Sequence, residues 1–317
     1  MAADSDTPRS ESDATRRVDP QRADTRDGYR RRIERAVALI ERAIAQGEDP
    51  PELARLAEAA AFSPFHFHRV YRAMTGETSG QTVARLRLLQ SLRLLAGEAR
   101  SITDTALAVG YQTPQAFSRA FRQGIGATPS ELRAEPERLR REIARLAQPP
   151  GSAASSAPLR VEVVEVDPFQ VLALRVTGGY PQQNHGYGRL FAWAAEHERM
   201  EQLSGLYGVP WDDRRDVAMA DCAFDCMIAL NAPFEPEDEA FRRVPMGGGR
   251  YARLRHVGPF DGLEALTDAL LAQWLPDSGE RLRDAPLHHE YLDDPDETPE
   301  AVLRTDIYLP LRDPSDA

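Results

Sequence analysis

The sequence of 317 residues contains no lysine and only two cysteines. Cys222 and Cys226 cannot build a disulfide framework and are too few thiolates for a structural zinc site, so we expect two buried structural thiols. No run approaches the roughly 20 apolar residues of a membrane-spanning helix, and the polar N-terminus lacks the apolar core of a secretory signal. We therefore expect a cytoplasmic protein that neither spans a membrane nor carries a metal or other cofactor.

Every formal cation is an arginine, and the charges are unevenly distributed. The net charge of -11 by itself argues against nucleic-acid binding, which depends on neutralising phosphates. Residues 1–150, however, hold 24 arginines and 20 acidic residues, whereas residues 151–317 hold 15 arginines and 30 acidic residues. Within the first half, residues 28–134 carry 15 arginines against 10 acidic residues. The first half is therefore a candidate nucleic-acid binder although the whole chain is acidic.

Hydrophobic periodicity divides the chain into four segments. Residues 1–27 have few apolar positions, which predicts a disordered tail. Residues 28–134 repeat apolar residues at helical spacing between short polar connections, which predicts an all-α bundle of about seven helices. Residues 135–158 combine a charged helix with a linker rich in proline, serine and alanine. Residues 159–312 alternate strands with two longer helices, which predicts an α+β domain.

The second half contains an internal repeat. ALRVTGGY (Ala173–Tyr180) and RLRHVGPF (Arg253–Phe260) align at an offset of 80 residues, and each ends with a glycine and an aromatic residue. A helical stretch follows each copy, so the repeat predicts two strand-helix-strand-strand modules. Because neither module can bury both of its faces alone, we expect the two to pair around a cleft.

Two stretches of the first half share a design that is typical of helix-turn-helix units. Leu53–Gly76 and Ile102–Gly126 each contain a short helix of small residues, a break, and a second helix with aromatic residues and arginines. The helix between them, Val83–Leu95, would set the separation of the two units. Each second helix is predicted to enter a major groove of DNA.

These stretches resemble the DNA-binding domain of AraC-type transcription regulators, which joins two helix-turn-helix units by a linker helix. The resemblance rests on FSPFHFHRVYRAMTGET, RLRLLQSLRLLA and SITDTALAVGYQTPQAFSRAFRQGIGATPSELR, within Leu53–Arg133. Tyr111, Leu89 and Gln90 depart from the usual family residues but lie outside the recognition helices. The resemblance implies double-stranded DNA as a partner and RNA polymerase as a further one.

The resemblance also nominates base-reading residues in both second helices, and their chemistry agrees with that role. Arginine contacts guanine O6 and N7, glutamine pairs with adenine, and an apolar ring contacts the thymine methyl group. Arg72 and Arg122 are interpreted either as phosphate contacts or as solvated cations. The predicted DNA-binding residues are Phe65, His68, Arg69 and Arg72 in the first recognition helix and Gln115, Ser118, Arg119 and Arg122 in the second.

The segment Leu159–Arg312 resembles the GyrI-like, or AraC effector-binding, domain of Rob-type regulators and multidrug sensors. The matching pieces include VEVVEVDPFQVLALRVTGGY, GGGRYARLRHVGPFDGL and APLHHEYLDDPDETPEAVLRTDIYLPL. The resemblance implies a cleft that binds an apolar or cationic small molecule through aromatic rings and a buried carboxylate. For each aromatic residue core packing is the alternative, and for Asp306 an edge-strand charge. The predicted ligand-binding residues are Glu290, Tyr187, Trp193, Tyr251, Trp274, Tyr291 and Asp306.

Together these features predict a ligand-responsive transcription regulator, monomeric or homodimeric, that is not an enzyme. An enzymatic alternative stays open, because Glu290 beside Tyr291 or Tyr251 would suit general acid–base hydrolysis. A third alternative is that the second half is an interaction module that binds a protein and not a small molecule.

Overall fold

The computed structural model describes residues 20–97, 100–151, 158–236 and 238–316. The first half is helical, and the second half contains an eight-stranded antiparallel sheet with helices. This confirms the predicted fold class, an all-α double helix-turn-helix domain followed by an α+β domain. In the described part of the chain, no helix is both long enough and apolar enough to cross a membrane.

The helical half contains two helix-turn-helix units, α2–α3 and α5–α6, which are joined by α4. Its helices are α1 (Pro20–Gln46), α2 (Leu53–Ala59), α3 (Pro64–Thr75), α4 (Ser79–Ala96), α5 (Ile102–Ala108), α6 (Pro114–Ile125), α7 (Pro129–Arg133) and α8 (Pro136–Ala147).

The first helix begins earlier than composition predicts. Of the predicted disordered tail, residues 1–19 lie outside the described residues, whereas residues 20–27 belong to α1. Contacts with the second half hold the beginning of α1: Arg26 pairs with Asp277 at 2.6 Å, and in the following turn the Tyr29 hydroxyl donates to the Glu280 carbonyl at 3.4 Å. Composition does not report such distant partners, which stabilise a helical turn that is weak in isolation.

The two units have equivalent recognition helices. α3 and α6 are each 12 residues long, begin with a proline, and end at a glycine in the left-handed region, Gly76 (φ 76°) and Gly126 (φ 73°). Each residue of α3 therefore has a counterpart 50 positions later in α6. Phe67 and its counterpart Phe117 are both fully buried, so the two helices insert the same ring into the bundle core.

The sheet has the strand order β1-β6-β8-β7-β3-β4-β2-β5. Its helical segments are α9, which follows β2, and the segment α10–α11, which follows β6 and is continuous through a π-helical stretch, Leu270–Trp274. The bounds are β1 (Val161–Val166), β2 (Phe169–Thr177), α9 (Tyr180–Glu196), β3 (Leu203–Pro210), β4 (Ala223–Leu230), β5 (Phe241–Met246), β6 (Gly249–Val257), α10 (Leu263–Ala269), α11 (Leu275–Ser278), β7 (His288–Tyr291) and β8 (Arg304–Pro310).

The predicted repeat is present as two modules, β2-α9-β3-β4 and β6-α10/α11-β7-β8. The first strands, β2 and β6, begin at Phe169 and Gly249 and so keep the offset of 80 residues that the sequence shows. β3 pairs with β7 and joins the modules at the centre of the sheet. The β3–β4 loop (residues 211–222) and the β7–β8 loop (residues 292–303) run through the same succession of turns.

One apolar core crosses the boundary between the two halves. Buried residues of the helical bundle, such as Ile40 and Leu92, belong to the same cluster as Leu254, Leu270 and Ile307 of the second module. Within the predicted connecting segment 135–158, α8 packs against α4 and so belongs to the bundle, while residues 152–157 lie outside the described residues. The halves are therefore packed together.

Candidate functional site

The second recognition helix presents its predicted reading residues to solvent. The hydroxyl of Thr113 caps α6 by accepting from the Ala116 main-chain nitrogen at 3.2 Å. Phe117 and Phe121 are fully buried, which fixes the rotation of the helix about its axis. The opposite side of the helix carries the exposed residues Gln115, Ser118, Arg119 and Arg122.

The first recognition helix faces the second half instead. The ring of Phe65 lies 5.5 Å from that of Trp211, measured between centroids. Arg69 is only 4% exposed, whereas its counterpart Arg119 is exposed. Arg72 Nη1 lies 3.6 Å from a carboxylate oxygen of Asp216.

The partly buried His68 lies on the same covered helix, and burial lowers its pKa to about 3. Phe65, His68, Arg69 and Arg72 are therefore covered in this conformation. Their role in reading DNA stays a prediction that requires the two halves to separate.

The β3–β4 loop supplies the surface against which α3 packs. Arg69 Nη2 donates to the carbonyls of Pro210 at 2.8 Å and Asp212 at 3.1 Å.

Asp213 accepts from the main-chain nitrogen of Arg215 at 2.9 Å and from its guanidinium at 2.8 and 2.6 Å. Burial disfavours ionisation of Asp213, but the hydrogen bonds from Arg215 outweigh it and lower its pKa to about 2. Arg215 also pairs with Asp268 of α10 at 2.6 Å, so the loop is tied to the second module.

A cavity of about 120 Å³ lies between α3, α9, α10 and the sheet. Four aromatic rings follow one another along its wall: Tyr180, Phe260, Tyr291 and Tyr187, with successive centroids 6.5, 5.4 and 6.1 Å apart. Burial raises the pKa of both Tyr187 and Tyr291, so their hydroxyls stay neutral. The wall offers ring faces and edges to a flat, apolar ligand.

Charged and polar side chains complete the cavity. Arg214 Nε donates to Glu264 at 2.9 Å, and Arg69 enters from α3. His289 is buried, and neither of its ring nitrogens has a hydrogen-bond partner among the described residues. Burial lowers the pKa of His289 to about 3, so the ring is neutral and has one donor and one acceptor nitrogen. A buried imidazole without a partner is available to a ligand.

The predicted ligand-binding residues are divided among several places. Tyr187 and Tyr291 line the cavity. Trp193 packs against Phe234 and Phe241 beneath α9, and Trp274 packs against the main core. Both tryptophans therefore fit the core-packing alternative.

Glu290, Tyr251 and Asp306 lie on the other face of the sheet. Successive side chains of a strand alternate in direction, so Glu290 points away from the face that carries its cavity-lining neighbours in β7. Its carboxylate accepts from the hydroxyls of Tyr207 at 3.2 Å and Tyr308 at 2.8 Å. Asp306, 1% exposed, accepts two hydrogen bonds of 2.7 Å from Arg255. A ligand-binding role for Glu290 stays a prediction that concerns this second face.

Sequence reasoning did not assign Tyr180, Phe260, His289 or Arg69 to the cavity. The sequence does mark Tyr180 and Phe260 as equivalent, because they are the aromatic residues that end the two copies of the repeat. Modules related by approximate symmetry bring equivalent positions together at their junction. No local pattern marks Arg69, whose partner Pro210 is 141 residues away along the chain.

Known proteins resemble each half of the chain. Residues 56–135 match a helix-turn-helix domain, and residues 160–312 match the GyrI-like small molecule binding domain. The probable transcriptional regulator YgiV of Escherichia coli (strain K12) is 34% identical over 129 residues, which cover 40% of this chain and 81% of YgiV. The regulatory protein SoxS of Salmonella typhimurium is 33% identical over 86 residues, which cover 27% of this chain and 80% of SoxS.

The right origin-binding protein of Escherichia coli (strain K12) is 33% identical over 90 residues, which cover 28% of this chain and 31% of that protein. The two domain matches agree with the architecture described above. The chain thus belongs to the transcription regulators that join an AraC-type helix-turn-helix domain to a C-terminal GyrI-like domain.

Proposed function

We propose that this protein regulates transcription by binding DNA through its helical half in response to a small molecule held by its GyrI-like half. The exposed row of Gln115, Ser118, Arg119 and Arg122 on α6 carries the first part of the proposal. It is held by two fully buried rings and presents residue types that read base edges and phosphates. The second part is supported by the aromatic cavity and by His289, whose ring nitrogens have no hydrogen-bond partner in the described part of the chain.

We further propose that the protein acts by binding and not by catalysis. Glu290 is the carboxylate that would serve in hydrolysis. Each of its oxygens accepts a hydrogen bond from a tyrosine hydroxyl, and it lies on the sheet face opposite the cavity. A general acid–base group must reach the proton that it transfers, and this carboxylate does not reach the cavity.

Arg119→Ala is expected to weaken binding to the operator by about 1–3 kcal/mol and to relax base preference at one position. The reason is that Arg119 is exposed on α6 and is proposed to contact a guanine edge through its guanidinium. The measurement is a mobility-shift assay at physiological salt with the upstream region of the protein's own gene and with single-base variants of the retained site. Arg42→Ala, which removes an exposed arginine from α1, is the matched control and is expected to have little effect.

Two outcomes would contradict parts of this proposal. Equal weakening by Arg119→Ala on every sequence variant would make Arg119 a phosphate contact. Absence of specific retention by the wild-type protein, with or without small molecules, would refute the proposed function.

A further inference from the structure

The first recognition helix and the cavity share one residue, Arg69. Its guanidinium is buried, lines the cavity and donates to the carbonyls of Pro210 and Asp212. Arg119, the counterpart of Arg69 in α6, is exposed on a helix of the same length with the same ends. The equivalent arginine is therefore buried against the GyrI-like half in α3 and exposed to solvent in α6.

The charges around the cavity favour a cation at the position of this guanidinium. The charged side chains that line it are Arg69, Arg214, Asp212, Glu264 and Asp293. The nearby carboxylates of Asp213, Glu264 and Asp268 stabilise the Arg69 guanidinium, and the charge of Arg215 opposes them. If Arg69 left, these carboxylates would lose a cation, and two partly buried carbonyls would lose a donor. Buried polar groups without partners are unfavourable, so the vacated position would take up another cation that carries N–H donors.

The other side chains that line the cavity, and its volume, indicate the remaining chemistry and the size of such a ligand. The acceptor nitrogen of His289 has no partner among the described residues and can accept an N–H group. The rings of Tyr180, Phe260 and Tyr291 stabilise a flat cation by stacking and by cation–π contact. The present cavity of about 120 Å³ is smaller than the roughly 300–1,000 Å³ of ordinary ligand sites. A ligand larger than a single ring therefore needs the space that Arg69 occupies.

We propose, building on the regulatory function above, that Arg69 occupies the cation position of the effector site and that a cationic aromatic effector competes with it. Binding of the effector excludes Arg69 and releases α3, and release of α3 opens the site. An effector that binds only the open form shifts the population toward that form. The open form presents both recognition helices, whereas the closed form presents α6 alone.

The closed contact leaves buried polar nitrogens of the described residues without hydrogen bonds, which favours its opening. His68 Nε2 is buried at this contact without a hydrogen-bond partner among the described residues, and Arg72 Nη1, which is ion-paired with Asp216 at 3.6 Å, makes no hydrogen bond to them either. Water would satisfy both atoms once the surfaces separate. The contact between α3 and the β3–β4 loop is therefore suited to a reversible switch.

Phenylguanidinium tests the competition directly, because it carries the guanidinium of Arg69 on an aromatic ring. By isothermal titration calorimetry, full-length Arg69→Ala is expected to bind it roughly tenfold more tightly than the wild type. The apparent affinity of a site falls by the fraction of molecules in which that site is open. Arg119→Ala removes the equivalent arginine from α6 and is expected to bind phenylguanidinium as the wild type does.

Phenylurea, which has the same shape without the charge, is expected to bind each of the three proteins more weakly than phenylguanidinium does. Equal affinity of phenylguanidinium for the wild type and for Arg69→Ala would overturn the proposal.

A measurement on the wild-type protein covers the case in which Arg69→Ala does not fold. Saturating phenylguanidinium is expected to accelerate amide hydrogen exchange in the β3–β4 loop and at the start of α3, and to leave α6 unchanged. Unchanged exchange in the loop and in α3 at saturation would contradict release of the helix.

These measurements contain no DNA, so their failure is separate from failure of the proposed function. If phenylguanidinium competes with Arg69 but the protein retains no specific DNA, regulation by DNA binding would be refuted and the proposed effector site would be supported. Specific DNA retention without competition would refute the role of Arg69 alone.

Discussion

Replacing Asp213 by alanine is expected to lower the free energy of unfolding by about 2–3 kcal/mol and, at the same time, to strengthen DNA binding. Asp213 is 1% exposed and accepts three hydrogen bonds from Arg215. Hydrogen bonds to charged groups contribute about 1.5–3 kcal/mol. The loop that these bonds order supplies the Asp212 carbonyl that holds Arg69, and it follows directly on Pro210, which supplies the other carbonyl. Loss of Asp213 therefore weakens the closed contact and raises the population in which α3 is free.

The second module provides the matched control for this substitution. Asp294 occupies the same place in the β7–β8 loop as Asp213 does in the β3–β4 loop, but its side chain is exposed. Asp294→Ala removes the same charge and is expected to change stability by less than about 0.5 kcal/mol. Urea unfolding reports the stability, and a mobility shift at fixed salt reports the DNA affinity. A destabilised Asp213→Ala protein that binds DNA no better than Asp294→Ala would show that the loop does not restrain α3.

Acidification from about pH 7 to pH 5 is expected to destabilise the protein steeply. His66, His288 and His289 are buried and His68 is partly buried, and burial lowers the pKa values of these four histidines to about 4, 3, 3 and 3, respectively. The folded state therefore stays neutral at these positions, whereas the unfolded state binds protons below about pH 6.5. The stability that these neutral histidines contribute is fully present above that pH and is lost as the pH decreases toward 4. Each histidine contributes about 1.4 kcal/mol per pH unit in this window.

The carboxyl group of Asp216 opposes this loss of stability on acidification. Burial and the neighbouring Asp213 raise the pKa of Asp216 to about 6, so the folded state binds this proton before the unfolded state does. The net difference near pH 5 is about three protons, which corresponds to a slope of about 4 kcal/mol per pH unit. Urea unfolding over a series of pH values measures this slope.

His66→Gln isolates the contribution of the histidine that touches both halves. His66 Nε2 lies 2.9 Å from the Arg283 carbonyl, and glutamine can keep that hydrogen bond without titrating. The substitution is expected to reduce the slope by about 1.4 kcal/mol per pH unit. His185→Gln, at an exposed position of α9, serves as the control and is expected to leave the slope unchanged. An unchanged slope in His66→Gln would mean that His66 is not held neutral by the fold.

Local patterns were sufficient to predict the helices, the two helix-turn-helix units and the paired modules. Apolar spacing and end signals operate within a few residues, as Gly76 and Gly126 show at the ends of α3 and α6. The offset of 80 residues between the modules is visible in the letters alone and reappears in β2 and β6. The local excess of arginine over residues 28–134 was likewise a property of the sequence.

The places of the candidate site residues depended on tertiary structure. Glu290 and Tyr291 were both predicted for one cleft, but adjacent strand residues face opposite sides, and only the packing of α9 and α10 decides which side forms the cavity. Trp193 and Trp274 suited a binding site as well as a core, and packing placed both in the core.

Arg69 and Arg119 show most clearly what local sequence patterns cannot predict. The sequence by itself determined that both lie at the same position of equivalent helices, because that placement follows from spacing within 12 residues. Only the tertiary structure decided that Arg69 is buried against Pro210 while Arg119 is exposed. Burial depends on which distant surface comes to lie against a side chain, and local spacing carries no information about that surface.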